Sequence, residues 1–133
     1  MKFHHIGIFV KSLDFGRSQI SSFIPIKNFT DPIIDKNLHV EIMFANDTSG
    51  LQYELIAPFG DKNPVSSILA SEKAIINHVA YTTMRFNEQI DQFRKFGAIP
   101  LTEAMPAKAF QDKKVIFFLT PMRFIIELIE CYE

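Results

Sequence analysis

The sequence predicts an α+β domain made of two copies of one unit, each running strand, helix, then two or three antiparallel strands. Three observations lead there. Strand-like apolar runs stand at 3–10, 38–45, 51–57, 75–83, 114–120 and 123–130, and the alternation is clean at 38–45. A helical spacing follows the first strand of each half, in Leu13, Gly16, Ile20 and Phe23 and again in Ile90, Phe93 and Phe96. The third observation is an offset: His5 precedes Glu54 by 49 residues, and His78 precedes Glu127 by 49. A fixed separation between chemically matched positions is what internal duplication leaves behind. The flanks agree, with His5-Ile6-Gly7-Ile8-Phe9-Val10 matching His78-Val79-Ala80-Tyr81-Thr82-Thr83, and Tyr53-Glu54-Leu55-Ile56 matching Ile126-Glu127-Leu128-Ile129.

In chain order, residues 3–10 place Phe3, His5, Gly7 and Phe9 on one strand face, and His4, Ile6, Ile8 and Val10 on the other. Ser12 or Asp14 suits the N-cap of the following helix, which Pro25 ends. Asn28, Asp31, Pro32, Asp35 and Asn37 give residues 26–37 the composition of a loop or short edge strand. Residues 38–45 alternate cleanly, with Leu38, Val40, Ile42 and Phe44 against His39, Glu41 and Met43. Asn46-Asp47-Thr48-Ser49-Gly50 is a turn, and 51–57 return to close a hairpin. Pro64, Val65, Ile68 and Leu69 predict a linking helix at 63–73. It divides a single domain, 1–133, into a module at 1–62 and a module at 74–133. The second opens on the strand at 75–83, with Asn87 as helix cap and Gly97 as the C-terminal stop. Residues 98–112 read as loop with one strand near 100–103, and 114–120 with 123–130 form the last hairpin.

Composition narrows the classes. A chain of 133 residues that is 47% apolar holds one compact domain with a sizeable core. A formal charge of −1 supplies no overall basic field for nucleic acid or an anionic membrane. The single cysteine, Cys131, excludes an intrachain disulfide and suits a reducing, cytoplasmic setting; no nucleophilic role is assigned to it. No run approaches the roughly 20 apolar residues of a membrane span. The expected partner is a small molecule, with neither nucleic acid nor membrane.

Glu127 stands in the middle of the apolar run Phe124-Ile125-Ile126-Glu127-Leu128-Ile129. A carboxylate removed from water needs a partner. His5, Glu54, His78 and Glu127 occupy equivalent strand positions in the two copies, so pairing the copies about a pseudo-twofold axis would bring all four together. Two imidazoles and two carboxylates suit one divalent ion such as Zn, Ni, Co, Mn or Fe, and an octahedral ion keeps two positions for water or substrate. A divalent ion that holds a thioester or ketone oxygen favours loss of the α-proton, and a nearby carboxylate can take it.

On these residues the sequence resembles the vicinal oxygen chelate superfamily, which includes glyoxalase I, methylmalonyl-CoA epimerase, extradiol dioxygenases and bleomycin-resistance proteins. The best local match is to methylmalonyl-CoA epimerase. It is carried by His5-Ile6-Gly7-Ile8, Tyr53-Glu54-Leu55-Ile56-Ala57-Pro58, Asn63-Pro64-Val65, His78-Val79-Ala80, Val115-Ile116-Phe117-Phe118 and Ile126-Glu127-Leu128, over nearly the whole chain. The resemblance implies paired βαβββ modules forming an open, cup-shaped mixed sheet, a metal held at His5, Glu54, His78 and Glu127, and a homodimer. It also implies a metal-dependent epimerase or isomerase that works by proton abstraction through a metal-stabilised enolate, on an acyl-CoA or a thiol adduct. Glu127 matches the carboxylate that serves as ligand and base. Asp35, in Asp35-Lys36-Asn37-Leu38, is the nearest match to a further catalytic carboxylate, although it is shorter than the expected Glu and Asn37 replaces a Gly. Other departures fall in loops: Ile75-Ile76-Asn77, Ala109-Phe110-Gln111-Asp112 and the short Thr120-Pro121-Met122-Arg123.

Two alternatives accompany this reading: a glyoxalase I-like lactoylglutathione lyase, and a metal-free small-molecule binding or resistance protein on the same fold. An extradiol dioxygenase fits less well, because a second Glu would occupy a position that chemistry leaves open. His4 competes with His5 as ligand. His39 and Glu41 offer themselves beside Glu54 or as a solvated face, and Lys108, Lys113 and Lys114 as phosphate contacts or a solvated loop.

Overall fold

The computed structural model describes residues 1–60, 78–122 and 124–132; the expected linking helix at 63–73 and the strand start at 75–77 lie outside them. The chain divides into two compact units, His5–Asn77 and Met1–His4 with His78–Glu133. In order, the elements are β1 (Lys2–Phe9), α1 (Leu13–Phe23), β2 (Ile26–Phe29), β3 (Ile33–Asp35), β4 (Val40–Asp47) and β5 (Gln52–Pro58). They continue as β6 (His78–Thr83), α2 (Phe86–Lys95), β7 (Ile99–Pro100), β8 (Met105–Ala107), a 3-10 turn (Lys108–Phe110), β9 (Lys113–Leu119) and β10 (Ile125–Glu130). The first residues of β1 belong to the second unit: the Lys2 carbonyl accepts from Thr82 Oγ1 at 3.4 Å, and the Phe3 ring meets Tyr81 edge-on at 5.9 Å.

The expected duplication is present strand for strand. In the first unit β1 runs parallel to β5, β5 pairs antiparallel with β4, and β2 and β3 both pair with β4. In the second, β6 runs parallel to β10, β10 pairs antiparallel with β9, and β7 and β8 both pair with β9. Among the described residues, each unit thus has three antiparallel strands, the first of them interrupted. Pro32, which has no N–H to offer a ladder, sits in the first gap.

The ends of elements differ from expectation where side chains satisfy the backbone locally. Residues 26–37 contain two short strands. β4 begins at Val40, two residues late, because Asp35 Oδ1 accepts the N–H groups of Asn37 and Leu38 at 3.0 Å each and His39 adopts φ 56°. An Asp that bonds its own following backbone makes a turn there. Ser12 caps α1 as expected, its Oγ accepting from the Phe15 N–H at 3.1 Å. Asn87 does not cap α2: the helix starts at Phe86, with Arg85 in the cap position, two residues before Asn87, and Thr83 Oγ1 takes the Arg85 N–H. Gly97, at φ 93°, ends α2 as the sequence predicts.

Helix α1 packs Leu13 and Ile20 over Met43, Ala45, Leu55 and Ala57. Gly16 permits the approach, since a Cβ there would lie 3.0 Å from both Val10 methyl groups. Helix α2 packs Phe86, Ile90 and Phe93 over Ile116, Phe118, Ile126 and Leu128. Because side chains alternate along a strand, these contacts send Phe44 and Glu54 in one unit, and Phe117 and Glu127 in the other, to the face away from the helix.

The β4–β5 turn carries a pH-sensitive contact. Asp47 Oδ1 accepts from the Ser49 hydroxyl at 2.7 Å and from the N–H groups of Ser49 and Leu51. These bonds, the Ser49 hydroxyl foremost, hold the Asp47 carboxyl below its ordinary value of 3.8. A depressed folded-state value means stabilisation present above 3.8 and lost as pH falls through the lower folded value. In thermal melts across pH, Asp47→Asn is expected to melt below the wild type at neutral pH and to converge with it in acid.

Candidate metal centre

Each unit builds the same pair of buried, ionisable side chains. In the first, Gly7 of β1 stands beside Glu54 of β5, and His5, two residues earlier on the same face, brings Nε2 within 3.5 Å of Glu54 Oε1. In the second, Ala80 of β6 stands beside Glu127 of β10, and His78 Nε2 lies 3.1 Å from Glu127 Oε1. All four side chains are at most 5% exposed. The small residue next to each Glu leaves room for the imidazole to reach across diagonally.

The antiparallel neighbour completes the arrangement. Phe44 stands opposite Glu54, and Phe117 opposite Glu127. The Phe44 ring meets the His5 ring edge-on, with centroids 5.7 Å apart and planes at 73°; Phe117 meets His78 at 5.1 Å and 82°. From the interrupted strand, Thr30 Oγ1 accepts the Phe44 N–H at 3.0 Å, and Thr102 Oγ1 accepts the Phe117 N–H at 3.3 Å. The His–Glu offset points to neither phenylalanine. The signal that does is their own interval: Phe117 follows Phe44 by 73 residues, as His78 follows His5 and Glu127 follows Glu54.

The remaining candidates are placed as follows. Asp35 is buried and lies opposite Val40, on the face that carries His5 and Glu54 but two strands from β5. His4 points to the other face of β1 from His5 and meets the Phe110 ring edge-on at 5.4 Å, so His5 and not His4 pairs with Glu54. Glu41 stands opposite Ala57, on the helix side of the sheet and not beside Glu54. His39 is exposed in the turn, and Lys108 and Lys114 are exposed as well. Lys113 reaches over the Tyr132 ring at 5.8 Å.

The second unit also holds a cavity of about 180 Å³, lined by His4, Thr82, Phe110, Gln111, Ile129 and Cys131 among others. Thr82 and Ile129 share the His78–Glu127 face, and Ile129 is two residues from Glu127, roughly 7 Å along the strand. Among the described residues, no helix is long and apolar enough to cross a membrane.

A family model described as Glyoxalase/Bleomycin resistance protein/Dioxygenase superfamily matches residues 4–117. No curated protein sequence matches significantly. Among solved structures, methylmalonyl-CoA epimerase from Mycobacterium tuberculosis is similar with a TM-score of 0.79 and 17% identity, over 97% of this chain and 87% of that one. A variant of the Streptomyces coelicolor methylmalonyl-CoA epimerase, in complex with 2-nitronate-propionyl-CoA, gives a TM-score of 0.75 and 19% identity, over 100% and 99%. A hypothetical protein from Bacillus halodurans C-125 gives 0.74 and 22%, over 99% and 95%. At these identities the likeness is one of fold, and the fold is the α+β architecture of the superfamily.

Proposed function

Because the chain belongs to the glyoxalase/bleomycin resistance protein/dioxygenase superfamily, we propose that it is a metal-dependent epimerase or isomerase that removes an acidic proton next to a carbonyl group. The observation that carries this reading is the buried His–Glu pair made twice, once in each unit. His5, Glu54, His78 and Glu127 each offer one ligand atom, and two carboxylates balance the charge of one divalent ion while two imidazoles bind neutral. Such an ion, when bound, stabilises the negative charge that develops on a carbonyl oxygen as the α-proton leaves.

The base is Glu127. It sits between Ile126 and Leu128 with Ala80 and Phe117 as strand neighbours, so little water competes for its oxygens. The cavity along the same face would take the part of the substrate beyond the carbonyl. An acyl-CoA fits this reading, as the related structures include epimerases named for methylmalonyl-CoA. The test is incorporation of solvent deuterium into methylmalonyl-CoA, followed by mass spectrometry, with exchange expected. Release of S-lactoylglutathione without such exchange would favour the lyase. Tight ligand binding by metal-free protein, with neither reaction, would favour the resistance-protein reading.

Inversion at a carbon also needs a proton delivered to the opposite face, and Asp35 is the carboxylate proposed for it, on the His5–Glu54 face of the first unit. Asp35→Asn keeps an oxygen for the Asn37 and Leu38 N–H groups while removing the basic carboxylate. Its rate of epimer interconversion is expected to fall about 10²-fold, the lower end of general acid–base effects, because Asp35 lies two strands out. An unchanged rate would leave Asp35 the turn alone.

A further inference from the structure

Resting on that reading, we infer that Phe44 and Phe117 are positioning residues that fix the imidazoles of His5 and His78 for ligation. A histidine ring turns about its outer bond through a broad, shallow range. A metal ligand needs the ring in one plane, and other histidine sites achieve this with a hydrogen-bonded outer shell. An aromatic ring also lies against each imidazole here, edge-on, at 5.7 Å for His5 and 5.1 Å for His78. The edge-to-face geometry suits two aromatic quadrupoles and favours one relative orientation of the planes.

Each phenylalanine is itself held. Its backbone N–H goes to a threonine hydroxyl supplied by the interrupted strand, Thr30 for Phe44 and Thr102 for Phe117. The Phe44 carbonyl accepts from the Thr30 N–H at 2.9 Å, and the Phe117 carbonyl accepts from the Leu101 N–H at 2.8 Å. The chain of contact therefore runs threonine, phenylalanine, histidine, glutamate in both units. Core filling alone does not require it: the phenylalanines that fill the second unit's core, Phe86, Phe93 and Phe118, lie on the α2 side of the sheet. Phe44 and Phe117 stand on the ligand side, each directly opposite a glutamate.

The test compares Phe117→Leu, Phe117→Tyr and Phe93→Leu, a core change on the α2 side. The deciding readout is the ¹⁵N spectrum of the His78 imidazole in metal-free protein, where a fixed ring gives one sharp set of signals. Phe117→Leu is expected to broaden or shift those signals, Phe117→Tyr to restore them, and Phe93→Leu to lower the melting temperature without touching them. In a Co²⁺ titration, Phe117→Leu is expected to bind about tenfold more weakly, the lower end for loss of a group that orients a ligand. His78 signals unchanged in Phe117→Leu, or altered equally in Phe93→Leu, would overturn the inference. A wild type that binds no Co²⁺ would instead overturn the metal reading, and the imidazole spectra would still decide the role of Phe117.

Discussion

Glu127→Gln is expected to slow deuterium exchange into methylmalonyl-CoA by about 10²–10⁴-fold, the range in which a positioned general base contributes. A factor of 10³ is about 4 kcal/mol of barrier. Gln keeps the length and volume of Glu and an oxygen that can face His78, so the change removes basicity and charge with little loss of packing. Glu127 is also a proposed ligand, and its amide would weaken metal binding as well. Rates are therefore compared at metal concentrations that saturate each protein, so that lost occupancy does not enter the difference. A rate within tenfold of wild type under those conditions would take the base role away from Glu127.

Phe118→Ala should cost about 3–5 kcal/mol of folding stability, the usual range for emptying a buried aromatic site. Phe118 is fully buried on the α2 side of β9 and meets the Phe93 ring at 5.2 Å. Phe86, Ala98, Ile116 and Leu128 surround it. Against a typical total of 5–15 kcal/mol, such a loss leaves the second unit close to unfolding. Phe96→Ala is the natural contrast, because Phe96 is 74% exposed and a surface change of that kind stays within about 0.5 kcal/mol. Urea titrations of metal-free protein would measure both, and equal losses would contradict the assignment of the core.

Where the chain's pattern was set by burial, the fold and the candidate site were legible in the sequence. Strands with two different faces show it, and so does Glu127, conspicuous because Ile126 and Leu128 flank a carboxylate. The duplication was legible from the His–Glu interval and reappears in the strand order of both units. What escaped was set by local hydrogen bonds or by register. Asp35 bends residues 36–39 into a turn and delays β4, which no alternation of Leu38, Val40 and Ile42 could reveal. In β4 both faces are apolar, with Ile42 and Phe44 on one and Met43 and Ala45 on the other, and all four buried. Polarity therefore could not say which face meets α1, and Glu41 fell on the helix side opposite Ala57. The threonines that hold Phe44 and Phe117 lie in the gaps of the interrupted strands, where neither the loop-or-edge reading of 26–37 nor the strand expected near 100–103 assigns a hydroxyl to a neighbouring N–H.

Two imidazoles and two carboxylates, His5, Glu54, His78 and Glu127, are proposed to hold one divalent ion. Elemental mass spectrometry of protein purified without chelator or affinity tag, beside His78→Ala, tests it most directly. About one divalent ion per chain is expected in the wild type, as for a four-ligand site, and a marked loss in His78→Ala. No bound metal in the wild type, even after incubation with Co²⁺, Ni²⁺ or Zn²⁺, would contradict it and leave a metal-free binding protein as the better reading.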